Sequence, residues 1–150
     1  MLSRFFIVII ASALIGALHT PARADAPMFF TGGGSAINGY DTVAYFTTGE
    51  PVEGRAEIAV MWKGAIWRFA SEDNREVFES DPRAYAPQYG GYCAYGVAQG
   101  YREKTEPGAW RIVEGKLYLI RAPSVRAIWE QDMVGNIAKA NANWPGVLRK

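Results

Sequence analysis

Two stretches of this chain carry one pattern at a spacing of 51 residues, and that repeat limits the fold more than any other feature. The shift aligns Gly64 with Gly115, Ile66 with Leu117, Trp67 with Tyr118, Arg75 with Arg126, Val77 with Ile128, and Phe78-Glu79-x-Asp81 with Trp129-Glu130-x-Asp132. Each copy reads strand, two-residue turn, strand, helix. In the first, Ile58, Val60 and Trp62 alternate with Glu57, Ala59 and Met61, Lys63-Gly64 turns the chain, and Trp67 and Phe69 share a face. Ser71 is a helix N-cap with Glu72 and Asp73 at the positive end of the helix dipole, and Val77 and Phe78 form the buried side. In the second, Trp110 and Ile112 lead to Glu114-Gly115, and Leu117 to Ile120 returns. Pro123 then opens a helix whose buried face is Val125, Ile128, Trp129 and Met133. Gly135 ends or kinks it, and Asn136 caps a last short helix to Ala142. The expected fold is therefore a small α+β single domain of two β-hairpin plus helix units, with helices packed on antiparallel strands and Trp62, Trp67, Phe69, Phe78 and Trp129 in its core.

The connector between the two units, Ala86 to Gly100, reads APQYGGYCAYGVAQG and holds the only cysteine, Cys93. Tyr89, Tyr92 and Tyr95 recur every third residue among Gly90, Gly91 and Gly96, which suits a compact loop or a broken helical turn. Cys93 is a candidate thiolate nucleophile, soft metal ligand or redox handle, and equally a small buried hydrophobe. Ahead of the first unit stands INGYDTVAYF, in which Asn38-Gly39 signals a turn. Asp41 after it either serves as a general acid or base, or bonds its own backbone as turn aspartates do.

At the N-terminus a charged start at Arg4, an apolar run from Phe5 to Leu18 and the small-x-small triplet Ala22-Arg23-Ala24 match a secretory signal peptide over residues 1–24. The run is short for a membrane span, so cleavage before Asp25 into a periplasmic or secreted product with no membrane attachment is expected, with an uncleaved membrane anchor as the alternative. Residues 25–36, with Gly32-Gly33-Gly34, read as a flexible leader too glycine-rich to bury a face. The domain then runs over residues 37–145 and a tail over 146–150. Lys and Arg number 16 against 15 Asp and Glu, and the signal takes Arg4 and Arg23 with it, so the remainder carries one acid in excess. That balance offers no electrostatic footprint for nucleic acid. The only histidine, His19, lies in the signal. A Ser-His-Asp or Cys-His pair and a His/Cys zinc site are thereby excluded from the product.

INGYDTVAYF, then AIWRFASEDNREVFESDPRAYAPQYGGYCAYGVAQG, then NANWP resemble the secreted bacterial YHS domain proteins over nearly the whole chain after the signal. Metal-handling members of the wider YHS and TRASH-like group carry cysteines near the first motif and in a Phe-Cys-Ser-x-x-Cys pattern, so the resemblance implies binding of copper or another heavy metal. In this chain Ala44 stands near the first such cysteine, and Ala70 and Asn74 stand in place of the other two. Cys93 alone remains as a thiolate.

Three functions follow as expectations. The first is non-enzymatic binding of a soft ion such as copper(I) through Cys93 with Met61 or Met133, or with Cys93 of a second copy in a homodimer. The second is a ligand- or protein-binding module without metal, in which a Tyr/Gly-rich loop with Tyr40, Asp41, Tyr89, Tyr92, Tyr95 and Tyr101 receives a small molecule or a periplasmic protein partner. The third is a redox enzyme in which a helix N-terminus or Arg102 lowers the Cys93 pKa.

Overall fold

The computed structural model describes residues 24–149, and the predicted signal lies outside the described residues except for Ala24. The protein is a small α+β single domain. Among the described residues it has six helices and three two-stranded antiparallel sheets. A minimal hairpin of β1 (Thr31–Gly32) and β2 (Ser35–Ala36) is followed by α1 (Ala44–Thr47). The first unit comprises β3 (Arg55–Trp62), β4 (Ala65–Phe69) and α2 (Glu72–Ser80). Then come α3 (Pro82–Tyr85), α4 (Ala94–Ala98), β5 (Trp110–Val113), β6 (Lys116–Leu119), α5 (Pro123–Glu130) and α6 (Met133–Asn143).

The two units match in physical detail. Both hairpins close on two successive positive-φ residues, Lys63 and Gly64 at 47° and 80° and Glu114 and Gly115 at 50° and 72°. This is the turn whose twist suits the flanking strands. Trp67 stacks on Phe78 with centroids 5.2 Å apart, and the equivalent Tyr118 meets Trp129 at 5.6 Å. Arg75 and Arg126 reach Glu79 and Glu130 one helical turn on. Asp81 and Asp132 each accept from the backbone N–H three residues later, capping the next helix.

Strict alternation along β6 joins the units. Leu117 and Leu119 enter the core formed by Val43, Tyr45, Ile58, Trp67, Phe69 and Phe78. Tyr118, and Ile120 just past the strand, enter a second core with Cys93, Val97, Trp129, Ala140 and Val147. A strand buried on both faces cannot leave one core without exposing the other, so the two units form one body.

Several expectations are corrected. Val77 and Ile128 are 37% and 49% exposed, whereas Phe78 and Trp129 are buried. Each helical residue turns by about 100° from the last, which carries the position before the aromatic off the sheet. The fifth helix ends at Glu130, ahead of Gly135, because Asp132 adopts φ −146°, ψ 66° and caps α6 by accepting from Gly135 N–H at 2.9 Å. Gly135 makes room for this cap, since a Cβ there would lie 2.2 Å from Asp132 Oδ2. Asn136 is no cap: it sits buried within α6, and its Nδ2 donates to Trp129 O at 3.1 Å. Residues 25–36 are docked. Phe29 is buried with its ring 5.4 Å from Trp62 and 5.1 Å from Trp67, and Phe30 N–H donates to Gly90 O at 2.8 Å. The tail is docked as well: Val147 and Leu148 are buried, and Leu148 O accepts from Ala26 N–H at 2.8 Å. Composition counted the glycines of this leader, but the aromatic pair beside them decides where it goes.

Candidate functional site

The repeat extends further back than the hairpins, and this extension explains Cys93. Ile37, Asn38 and Gly39 have φ of 44°, 60° and 79°, and 52 residues later Tyr89, Gly90 and Gly91 have 53°, 62° and 80°. Each triplet is a left-handed turn closed by the following tyrosine: Tyr40 N–H donates to Ile37 O, and Tyr92 N–H to Tyr89 O. The next residue, Asp41 or Cys93, then serves as a side-chain acceptor. Asp41 Oδ1 accepts from Val43 N–H at 2.9 Å and Ala44 N–H at 3.2 Å, while Oδ2 accepts from Ala70 N–H at 2.8 Å and Asn74 Nδ2 at 2.7 Å. Cys93 Sγ accepts from Gly96 N–H at 3.4 Å and Arg121 N–H at 3.3 Å. In both copies one buried side chain ties the start of a helix to the end of the following hairpin. The signal was in the sequence as Gly39-Tyr40-Asp41 and Gly91-Tyr92-Cys93, at a shift of 52 rather than 51.

This geometry keeps Cys93 in one core with Tyr89 and Tyr92 and leaves Met61 outside it. Cys93 is 0% exposed, and burial pushes its thiol pKa up. The N–H groups of Gly96, Arg121 and Tyr95 act in the opposite direction, and the Glu103 carboxylate adds to the rise. A lowered thiol pKa, the premise of the redox expectation, is thus corrected: desolvation outweighs the short helix end. Met61 is 68% exposed on the outer face of β3 and lines a different surface from the core that holds Cys93. Among the described residues no three His, Cys, Asp or Glu side chains stand together as a metal site. A copper(I) ion does not fit at Cys93, where the sulfur lies in an apolar core and already faces two N–H donors. The sulfur has no exposed surface, which contact with a second copy would require.

The tyrosine loop is likewise redistributed. Tyr89 and Tyr92 are buried, Tyr40 and Tyr95 half-buried, and only Tyr101 is exposed. Asp41 is 0% exposed, and its Oδ1 accepts from the Val43 and Ala44 N–H groups as its turn reading expects. Tyr92 OH donates to Pro27 O at 2.8 Å, and Tyr89 OH donates to Asn141 Oδ1 at 2.8 Å. Burial, with the Tyr118 phenol second, raises the Tyr89 pKa.

What the loop does build is the floor of a cleft. An open cavity of about 540 Å³ is lined by the leader (Met28, Phe29), the first hairpin turn (Trp62, Lys63), Arg83 of α3, the Ala86–Gly90 stretch, and Asn141 and Trp144 at the end of α6. Aromatic rings form its walls, and its charged residues are Lys63 and Arg83, with no acidic side chain lining it. Lys63 Nζ sits 4.9 Å from the Trp62 ring centroid, a cation–π contact that holds the ammonium at the rim. Among the described residues neither Lys63 nor Arg83 forms a salt bridge, while six other pairs are made. Of these residues sequence reasoning placed only Tyr89 in a binding role. The others come from five separated segments, and no local pattern announces their meeting. No family model matches the chain, and neither a curated protein nor a solved structure matches it.

Proposed function

We propose that this protein is a non-enzymatic binding module whose cleft, floored by Tyr89 and Gly90, receives a small anionic ligand with an apolar body. The observation that carries this reading is the pairing of aromatic walls with two cations and no acid in one concavity. Ligand sites combine apolar lining with a few placed polar groups in this way. The strained floor adds support: Tyr89 is a bulky residue held at φ 53°, a conformation that costs about 1 kcal/mol or more and persists where surroundings enforce it. A binding role without chemistry agrees with a cysteine engaged as a backbone acceptor and an aspartate whose oxygens are fully used.

The likeness to YHS domain proteins belongs to the same proposal, as does export to the periplasm. INGYD and FASEDN, parts of the first two of the three stretches that carry the likeness, meet through Asp41, Ala70 and Asn74. They serve as a joint, with the binding surface elsewhere.

The test is a titration of the full chain with 8-anilinonaphthalene-1-sulfonate, a probe with an anionic group on an aromatic body. One saturable site, weakened about tenfold when Lys63→Gln and Arg83→Gln are combined, is the expected result. Absence of a saturable site, or affinity unchanged in that exposed double variant, overturns the reading.

A further inference from the structure

A second concavity, of about 230 Å³, opens between the second hairpin and α6, and its two sides follow from the periods of those elements. On the hairpin, Lys116 and Tyr118 are two apart along β6 and Lys116 pairs with Val113 across the ladder, so the three share one face. On α6, Val134, Ile137 and Asn141 are three and four residues apart and form one stripe. The groove is apolar at Val113, Val134 and Ile137. Its charged residues, Glu114 and Lys116, are of opposite sign, so it suits a neutral group.

This groove abuts the basic cleft at two side chains, Gln88 and Asn141, which line both. The floors adjoin as well, because the Tyr89 ring of the cleft lies 5.9 Å from the Tyr118 ring of the groove. Both shared residues are amides. Tyr89 OH donates to Asn141 Oδ1 at 2.8 Å, which orients that amide and leaves Nδ2 as the group it offers a ligand. Gln88 brings the acceptor that Asn141 has committed. The order along the track is therefore two cations, an amide pair, and an apolar groove. An alkyl chain has nothing to give the amide pair, whereas a peptide unit offers it one C=O and one N–H.

Building on the binding reading above, we infer that the ligand is the free C-terminus of a peptide ending in two apolar residues. Its carboxylate lies at Lys63 and Arg83, whose planar fork suits two oxygens. Its last side chain packs on the aromatic walls of the cleft, its last peptide unit meets Gln88 and Asn141, and its penultimate side chain enters the groove at Val113, Val134 and Ile137.

The experiment is isothermal titration of the full chain with N-acetyl-leucyl-phenylalanine, in parallel with 8-anilinonaphthalene-1-sulfonate. Three analogues each remove one contact: the C-terminal amide, the glycyl-phenylalanine peptide, and the ester in which oxygen replaces the linking N–H. The amide and the glycyl peptide are expected to bind about tenfold more weakly, and the ester about fivefold. Arg83→Gln should narrow the gap between acid and amide. Gln88→Ala should bring the peptide and its ester within about twofold of each other, as a double-mutant cycle requires of a direct contact. Val134→Asn, at a position 83% exposed, should weaken the leucyl peptide about fivefold and leave the glycyl peptide and the aromatic probe unchanged. If the probe binds in the cleft but the leucyl and glycyl peptides bind alike, the groove is refuted and the cleft reading survives. If the ester equals the peptide, or the amide equals the acid, the peptide C-terminus is refuted as the ligand. If neither the probe nor any peptide binds, both readings fail together.

Discussion

Asn74 Nδ2 donates to Asp41 Oδ2 at 2.7 Å across 33 residues of sequence. The same oxygen accepts from Ala70 N–H, so one carboxylate pins the start of α1 to the junction of β4 and α2. Charge-assisted bonds of this kind are worth more than neutral ones, and no water reaches the group to replace them. Asp41→Asn turns an amide N–H₂ toward donors in either flip state. It should cost about 3 kcal/mol in urea unfolding. Asn74→Ala should cost about 1–2 kcal/mol, and the double variant less than the sum. Additive losses would show that the two side chains do not cooperate.

Cys93 makes a sharper test because two views of it predict opposite rankings. As a hydrophobe of small volume it tolerates Val better than Ser. As the acceptor for Gly96 and Arg121 N–H it tolerates Ser better, since Val leaves two buried donors unpaired at about 1–3 kcal/mol each. Urea midpoints should place Cys93→Ser above Cys93→Val. The native thiol should resist a disulfide reagent until denaturant is added, and copper(I) titrations of the protein and of Cys93→Ser should coincide.

Alkaline pH should destabilise the fold, beginning with this thiol. Burial raises its pKa above the ordinary 9.0, so below that value both folded and unfolded chains hold the proton and the contribution is complete. Above it the unfolded chain releases its proton first and binds fewer, so stability falls as pH rises through the native value. Tyr45 and Tyr89, raised from 10.0 chiefly by burial, add the same sign at higher pH. Urea midpoints measured from pH ~8 to ~11 should fall, and Cys93→Ser should delay the onset. A flat profile would contradict this account of the buried groups.

The docked leader predicts where the domain begins. Phe29→Ala removes a ring packed on Trp62 and Trp67 and should cost about 3 kcal/mol. Gly90→Ala should cost at least as much. Its φ is 62°, and a Cβ there would stand 1.8 Å from Met28 O, lifting the leader from its site. A product starting at Ile37 should then unfold at markedly lower urea; equal stability would return residues 25–36 to the status of a loose leader.

Much of the architecture was legible because it is written in local chemistry. Lys63-Gly64 and Glu114-Gly115 announce hairpins, Ser71 announces a helix start, and Phe78 and Trp129 announce the buried positions. What escaped depends on encounters between distant segments. Nothing near Phe29 says that it will meet Trp62, and nothing near Arg83 says that Lys63 and Trp144 will share its cleft. Cys93 misled for a related reason. A lone sulfur draws attention through its reactivity, while its position after Gly91-Tyr92 matches Asp41 after Gly39-Tyr40, and there the pattern concerns hydrogen-bond acceptance.

The clasp between Ala26 N–H and Leu148 O also has a mechanical side. The backbone that leaves this clasp runs within three residues to Met28 and Phe29, which wall the cleft. A pull that separates the two ends of the domain therefore strips that wall before it loads either hairpin. Clasp and cleft wall are one strip of chain, so tension on the first becomes a change of shape in the second.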